Sequence, residues 1–208
     1  MSSASEQLPP WTRVVGPRLM ARARADLARL VAMPTVVDGG GPASAAACRT
    51  AAAWVASAFA ACGVGGCRPL DVGAAAPAVV GHRPPPPGAP TVLLYSHYDV
   101  QPPGDLAEWH SPPFRLTERG GRWYGRGAAD AKGNLVAHLT ALRALGPDPP
   151  VGVRVLVEGS EESDSSALVD HVRAHPATSR RTRSCSATPA TPRSASPPPP
   201  WCCAVPSI

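Results

Sequence analysis

The sequence predicts an α/β chain, a three-layer sandwich with a largely parallel central sheet. Three observations carry this expectation. Apolar residues recur at helical spacing in three segments, apolar runs of strand length lie between them, and the two kinds interleave along a chain of 208 residues.

Leu19, Met20, Ala23, Leu27, Leu30 and Val31 fall three and four residues apart, which predicts an amphipathic helix ending before Pro34. A second helix is expected from about Ser44 to Cys62, with Ala47, Ala51, Trp54, Val55, Ala58 and Phe59 on one face and Gly63 as its cap. Residues 83–90 are rich in proline and form a loop, and Thr91 to Tyr95 is the continuous apolar run of a strand covered on both faces. Phe114 to Tyr124 reads as a hairpin turning at Gly120-Gly121. Leu135, Val136, Leu139, Leu142 and Leu145 give a third helix, closed by Gly146-Pro147. Val151, Val153, Val155 and Val157 alternate as a β-branched strand. In such sheets ligands gather beyond the carboxyl ends of the strands, and both His97 and Glu161 follow a strand directly.

The net charge of +5 suggests nucleic acid only until it is mapped. All 15 acidic residues lie at or before Asp170, whereas Arg180, Arg181, Arg183 and Arg193 follow His175. The body is therefore close to neutral, and nucleic-acid binding is not expected. No apolar run reaches membrane-spanning length, and Met1 to Pro17 carries polar residues and prolines where a secretion signal would have an apolar core. The expected location is cytoplasmic, with the six cysteines as free thiols. Cys62 and Cys67 have neither CxxC spacing nor a His partner, which argues against a zinc knuckle.

The chemistry-bearing residues cluster at three places. His97 and Asp99 are two apart, so in an extended segment both point to one side. A metal-bound imidazole usually passes its other N–H to a carboxylate or carbonyl, a place Asp99 could fill, although an isolated His-x-Asp also occurs in solvated loops. Asp130 follows a Gly-Arg-Gly bend and precedes a helix, where an N-cap is its commonest role, but its two oxygens could also bridge two cations. Glu161 and Glu162 are adjacent acids after a buried strand: one could bind metal while its neighbour stays free as a base. Glu158 and Asp164 read as solvated acids. His110 reads as a pocket wall, and His82, His138, His171 and His175 lack ligand spacing.

Together these residues resemble the M20 family of metallopeptidases, which includes aminoacylases, carboxypeptidases and carnosinase-like dipeptidases. The matching stretches are SHYDVQPP at 96–103, WHSPPF at 109–114, WYGRGAADAKGN at 123–134 and EGSEESDS at 158–165, in family order. The dipeptidase-like branch matches best, through HYDVQP and the EGxEES element. The resemblance implies a zinc-exopeptidase-like fold, hydrolysis of a dipeptide or N-acyl amino-acid amide bond, and a site for two Zn²⁺. By motif, His97 would bind one metal, Asp130 would bridge both and Glu162 would bind the other. Glu161 would be the general base and Asp99 the partner orienting His97. The same oxygen and nitrogen ligands would accept Mn²⁺ or Co²⁺.

The resemblance covers roughly Leu19 to His175. Family members add a second Asp ligand, a lid or dimerisation domain and a final His ligand further along, whereas here no acid follows Asp170 and no His follows His175. The expectation is an N-terminal extension over 1–17, an incomplete catalytic domain over 18–175, and a tail over 176–208 rich in Pro, Ser and Arg, out of frame or disordered. A peptide substrate is expected; the homodimer possible in full-length members would lack its usual dimerisation domain. Weak or absent activity follows from the ligand count. The alternative is a non-catalytic binding module whose Pro197–Pro200 run serves as an interaction segment. The DNA around codons 170–180 tests the tail: a second frame that resumes acidic, periodic sequence supports the frame-shift reading, and its absence counts against it.

Overall fold

Two short strands with no clear hydrophobic period set the character of the sheet. The computed structural model describes residues 15–181 together with the backbone of 183–186 and 204–206. Helix α1 (Pro17–Val31) and helix α2 (Gly41–Ala60) lead into β1 (Gly65–Leu70) and β2 (Ala78–Arg83). Strand β3 (Thr91–His97) precedes the hairpin of β4 (Thr117–Arg119) and β5 (Arg122–Tyr124). Then come α3 (Lys132–Leu145), β6 (Gly152–Glu158), α4 (Ser166–Ala174), and the strands β7 (Arg183–Ser186) and β8 (Ala204–Pro206). The N-terminal residues 1–14, the Pro197–Pro200 run and the side chains of Cys185, Cys202 and Cys203 lie outside the described residues.

The main sheet has the order β1-β2-β6-β3-β7. The largely parallel sheet expected from the sequence is overturned: the arrangement is mixed and mostly antiparallel. β1–β2, β2–β6, β4–β5 and β5–β8 are antiparallel pairs, and β3–β6 and β3–β7 are parallel. The error has a local cause. β1 is Gly-Gly-Cys-Arg-Pro-Leu, a composition that argues against a strand, yet at the sheet edge Pro69 has room. With β1 and β2 unread, only the parallel pair β3–β6 remained visible. The hairpin turns at Gly120-Gly121, both at positive φ (54° and 70°), the backbone a two-residue turn between twisted strands requires.

Strand alternation sorts the core into two layers. Val79, Val153, Val155 and Val157 face α1, α2 and α3, where Leu27, Leu30, Val55, Phe59, Leu135 and Leu139 are buried. Ala78, Leu93 and Leu156 face the other way and pack beneath Leu168 and Val172 of α4. Each fully buried aliphatic side chain contributes roughly 1.5–3 kcal/mol. Cys48, Cys62 and Cys67 are free thiols, and burial raises the pKa of each. Among the described residues no helix is long and apolar enough to cross a membrane.

One buried cation links the layers to the site. Lys132, at the start of α3, is fully buried, and its Nζ donates to Leu30 O (2.9 Å) and Met33 O (2.7 Å) at the carboxyl end of α1. The Leu30 carbonyl is among the last of the helix and that of Met33 lies just beyond it, where a positive charge is favourable. Lys132→Met keeps the stem but removes both charge-assisted bonds, and a loss of about 2–4 kcal/mol is expected in urea unfolding. An unchanged midpoint would show that Lys132 does not anchor α3 to α1.

Candidate metal centre

The parallel pairing of β3 with β6 places His97 opposite Glu158, so the segments leaving both strands begin side by side. Tyr98 N donates to Glu158 O (3.0 Å), which carries the pairing one step past the strands. Asp99 follows, completely buried, and its Oδ2 accepts the backbone N–H of Glu162 at 2.8 Å. The Glu161-Glu162 turn is thereby held over His97.

Asp130 reaches the same place by a different route. The Gly125–Asp130 bend is held by Arg126 N donating to Pro113 O (2.7 Å) and Lys132 N donating to Gly127 O (2.9 Å). Gly127 has φ +79°, and a Cβ there would sit 2.7 Å from Val100 Cγ1, so a side chain would collide with the segment after β3. Ser96 Oγ donates to Ala131 O (3.1 Å), fixing the bend against β3. Asp130 caps nothing: the N-cap position of α3 is Ala131, without a side-chain cap. The Asp130–Ala131 peptide is cis.

His97, Asp130 and Glu162 each offer a ligand atom within 4.8 Å of the others. His97 Nε2 is 3.1 Å from Asp130 Oδ1 and 3.7 Å from Glu161 Oε2. On the ring's other side, Nδ1 is 3.2 Å from the carbonyl of Asp99 and 3.4 Å from its Oδ1. The shorter contact makes the carbonyl the main acceptor, with the carboxylate loosely shared; Asp99 Oδ1 has no full hydrogen bond. The His97 side chain is 7% exposed, whereas Asp130 and Glu161 are 58% and 41% exposed. The imidazole forms the floor and the acids the rim.

The charges at this point compete. Burial alone would lower the His97 pKa, but Asp130, Asp99 and Glu161 outweigh it and raise it to about 10. Asp130 is lowered by its bond to His97, and Glu162 is raised by burial. Several lone-pair-bearing atoms thus converge, and either a proton or a cation relieves their repulsion. An imidazole with two carboxylates is a donor set that suits zinc, so the residues fit the metal.

Sequence reasoning missed several supporting residues. Gln101 Nε2 donates to both Glu162 O (2.7 Å) and Glu162 Oε2 (3.0 Å). Glu158, expected in solvent, is buried: Tyr95 Oη donates to its Oε2 at 2.8 Å, and burial raises its pKa. His138 is also buried, bonded through Nε2 to Tyr95 O (3.1 Å), while His110 is exposed. Asp164 is an exposed acid bonded to Ser166. Gln101 and Lys132 lie inside the matching stretches, but their residue types ordinarily lie at the surface, so nothing marked their roles.

Asp99→Asn tests the clasp with little change of shape. Its amide can still accept from Glu162 N–H, but an NH₂ then faces the His97 N–H. Zinc affinity, read by calorimetry, is expected to fall about 10–100-fold. Unchanged affinity would mean that the Asp99 carboxylate does not orient the imidazole and that its backbone carbonyl suffices.

The model of peptidase family M20/M25/M40 matches residues 93–185, a segment that ends within β7. A cysteinylglycine-S-conjugate dipeptidase of Corynebacterium striatum is 53% identical over 88 residues, covering 40% of this chain and 19% of that protein. A β-Ala-His dipeptidase of Rattus norvegicus is 44% identical over 90 residues, covering 42% of this chain and 18% of that protein. Among solved structures, human carnosine dipeptidase 1 superposes with a TM-score of 0.71 at 27% identity, over 80% of this chain and 38% of that one. The matched part is thus about a fifth of the curated relatives' length. The mixed sheet, the converging His, Asp and Glu, and these matches agree in making this part of the chain similar to peptidase family M20/M25/M40 and to its dipeptidases.

Proposed function

We propose that this chain provides the amino-terminal share of a metal-dependent hydrolase that cleaves a dipeptide or N-acyl amino-acid amide bond. The observation that carries the reading is the convergence of His97, Asp130 and Glu162 within 4.8 Å, with a further carboxylate, Glu161, beside them. The dipeptidase names of the similar proteins support a small peptide substrate. On this reading residues 18–175 are the catalytic part, flanked by 1–17 and 176–208.

His97, Asp130 and Glu162 would hold the metal, zinc by family and Mn²⁺ or Co²⁺ by donor chemistry. In the two-zinc form, Asp130 would bridge, with His97 on one side and Glu162 on the other. When bound, zinc supplies Lewis acidity to the scissile carbonyl and acidifies water toward neutral pH. Glu161, partly exposed on the rim, takes a proton from the attacking water and returns it to the leaving amine. Asp99 keeps the His97 ring turned so that Nε2 faces the acids, and Gln101 holds the Glu162 carboxylate from outside. Two metals sharing these three residues would each receive two ligands from the described residues, and catalytic zinc ordinarily has three. Weak hydrolysis by the chain alone is therefore the expectation.

Zinc titration and a dipeptide assay test both halves. Glu161→Gln is expected to leave zinc affinity within a few-fold and to lower whatever hydrolysis the wild type shows by about 10²–10⁴-fold. Metal analysis of the loaded chain decides between one and two zinc ions. Zinc binding no tighter than that of the His97→Ala, Asp130→Ala double variant would instead favour a non-catalytic binding module.

A further inference from the structure

On the α4 side of the sheet, beneath the carboxyl end of that helix, lies a cavity of about 710 Å³. Its size is that of small-molecule sites. Arg68 of β1, His82 of β2 and Arg154 of β6 line it from the sheet, with His171 of the helix and His175 just past its end. No acidic residue lines it. Arg154 lies four residues before Glu158 on β6, about 13 Å along the strand, which separates the cavity from the metal centre.

The lining is organised around cations. His82 and Arg154 are register partners across β2 and β6, so their side chains are neighbours on one face. Burial and the nearby Arg154 both lower the His82 pKa, and Arg180 adds like charge beside Arg154. Arg154 Nε is buried with no hydrogen-bond partner, and no carboxylate pairs with Arg154 among the described residues. The His171 and His175 rings stack with centroids 4.4 Å apart. A buried N–H without an acceptor and the crowding of like charge both cost free energy. An oxyanion relieves both, because a guanidinium fork matches carboxylate or phosphate geometry. A metal does not suit the place: the one cluster of possible ligands among the described residues is that of His97.

We propose that this cavity binds a small molecule bearing an oxyanion, phosphate or carboxylate, with Arg154 and Arg68 as its charged contacts and His82, His171 and His175 as its walls. The limited volume favours a small ligand over a nucleic acid, which would need an extended basic surface.

Inorganic phosphate and succinate, titrated separately into the full chain at low ionic strength, test this by calorimetry and by the imidazole NMR signals. Saturable binding of either probe is expected, with shifts at His82, His171 and His175; the tighter probe distinguishes phosphate from carboxylate. Arg154→Met and Arg68→Ser are each expected to weaken it about 10–100-fold. Arg68 is exposed, so its variant keeps the test valid if Arg154→Met fails to fold. His97→Ala should remove zinc binding and leave the phosphate isotherm unchanged, which separates the two sites. No saturable binding up to millimolar probe, or undiminished affinity in both arginine variants, would overturn the proposal. So would a preference for duplex DNA that Arg154→Met does not alter.

Discussion

The candidate centre depends on one buried carboxylate. Asp99 is wholly removed from solvent, yet its Oδ2 takes the Glu162 N–H while the His97 ring lies against its backbone carbonyl and Oδ1. Burying a carboxylate is costly unless it is hydrogen-bonded and near positive charge. Here the bonds that offset that cost also set the geometry, since they join the ends of β3 and β6. The parallel pairing brings the two chain segments together, and Asp99 locks them one turn beyond the sheet.

Asp130 needs a separate anchor because its bend belongs to neither strand. Ser96 holds the bend from β3, and Lys132 ties the first turn of α3 to carbonyls at and just past the end of α1. Burial pulls the Lys132 amine down to about 7, while Cys48 and Asp99 oppose that shift. A lysine in such a place acts as a structural post. It joins the helix layer to the acid that faces His97, so the helix packing and the site geometry are mechanically continuous.

The distribution of exposure suits a site that must admit a substrate. His97 is fixed from below, whereas Asp130 and Glu161 keep about half of their side chains in solvent. Burial raises the Glu162 pKa and the His97 bond lowers that of Asp130, so two acids of one cluster are driven apart by their surroundings. Such a split is common where carboxylates share a site but perform different tasks. Toward the start of β6 the same face of the sheet has the reverse character, arginines and histidines without acids, and about 13 Å of strand keeps the two chemistries apart.

The three long helices, β3, β6 and the hairpin were legible in the sequence because each has its own periodicity or turn chemistry, and those patterns are local. The residues that converge in the centre were legible for a related reason: His97, Asp130, Glu161 and Glu162 lie directly beyond local elements, in motifs that resemble a known family. Strand direction was not legible. β1 carries two glycines and a proline, and β2 reads as a short apolar run interrupted by Gly81, so neither announces itself or its antiparallel partner. Burial of Glu158 and Lys132 was equally hidden, because charged residues go inside only when a distant partner is waiting: Tyr95 Oη for the one, the carbonyls of Leu30 and Met33 for the other. The sequence by itself determined which segments are helix or strand and which side chains can do chemistry. Only the tertiary structure decided which strands pair and in what sense, and which charges are buried, since both depend on contacts between residues far apart in the chain.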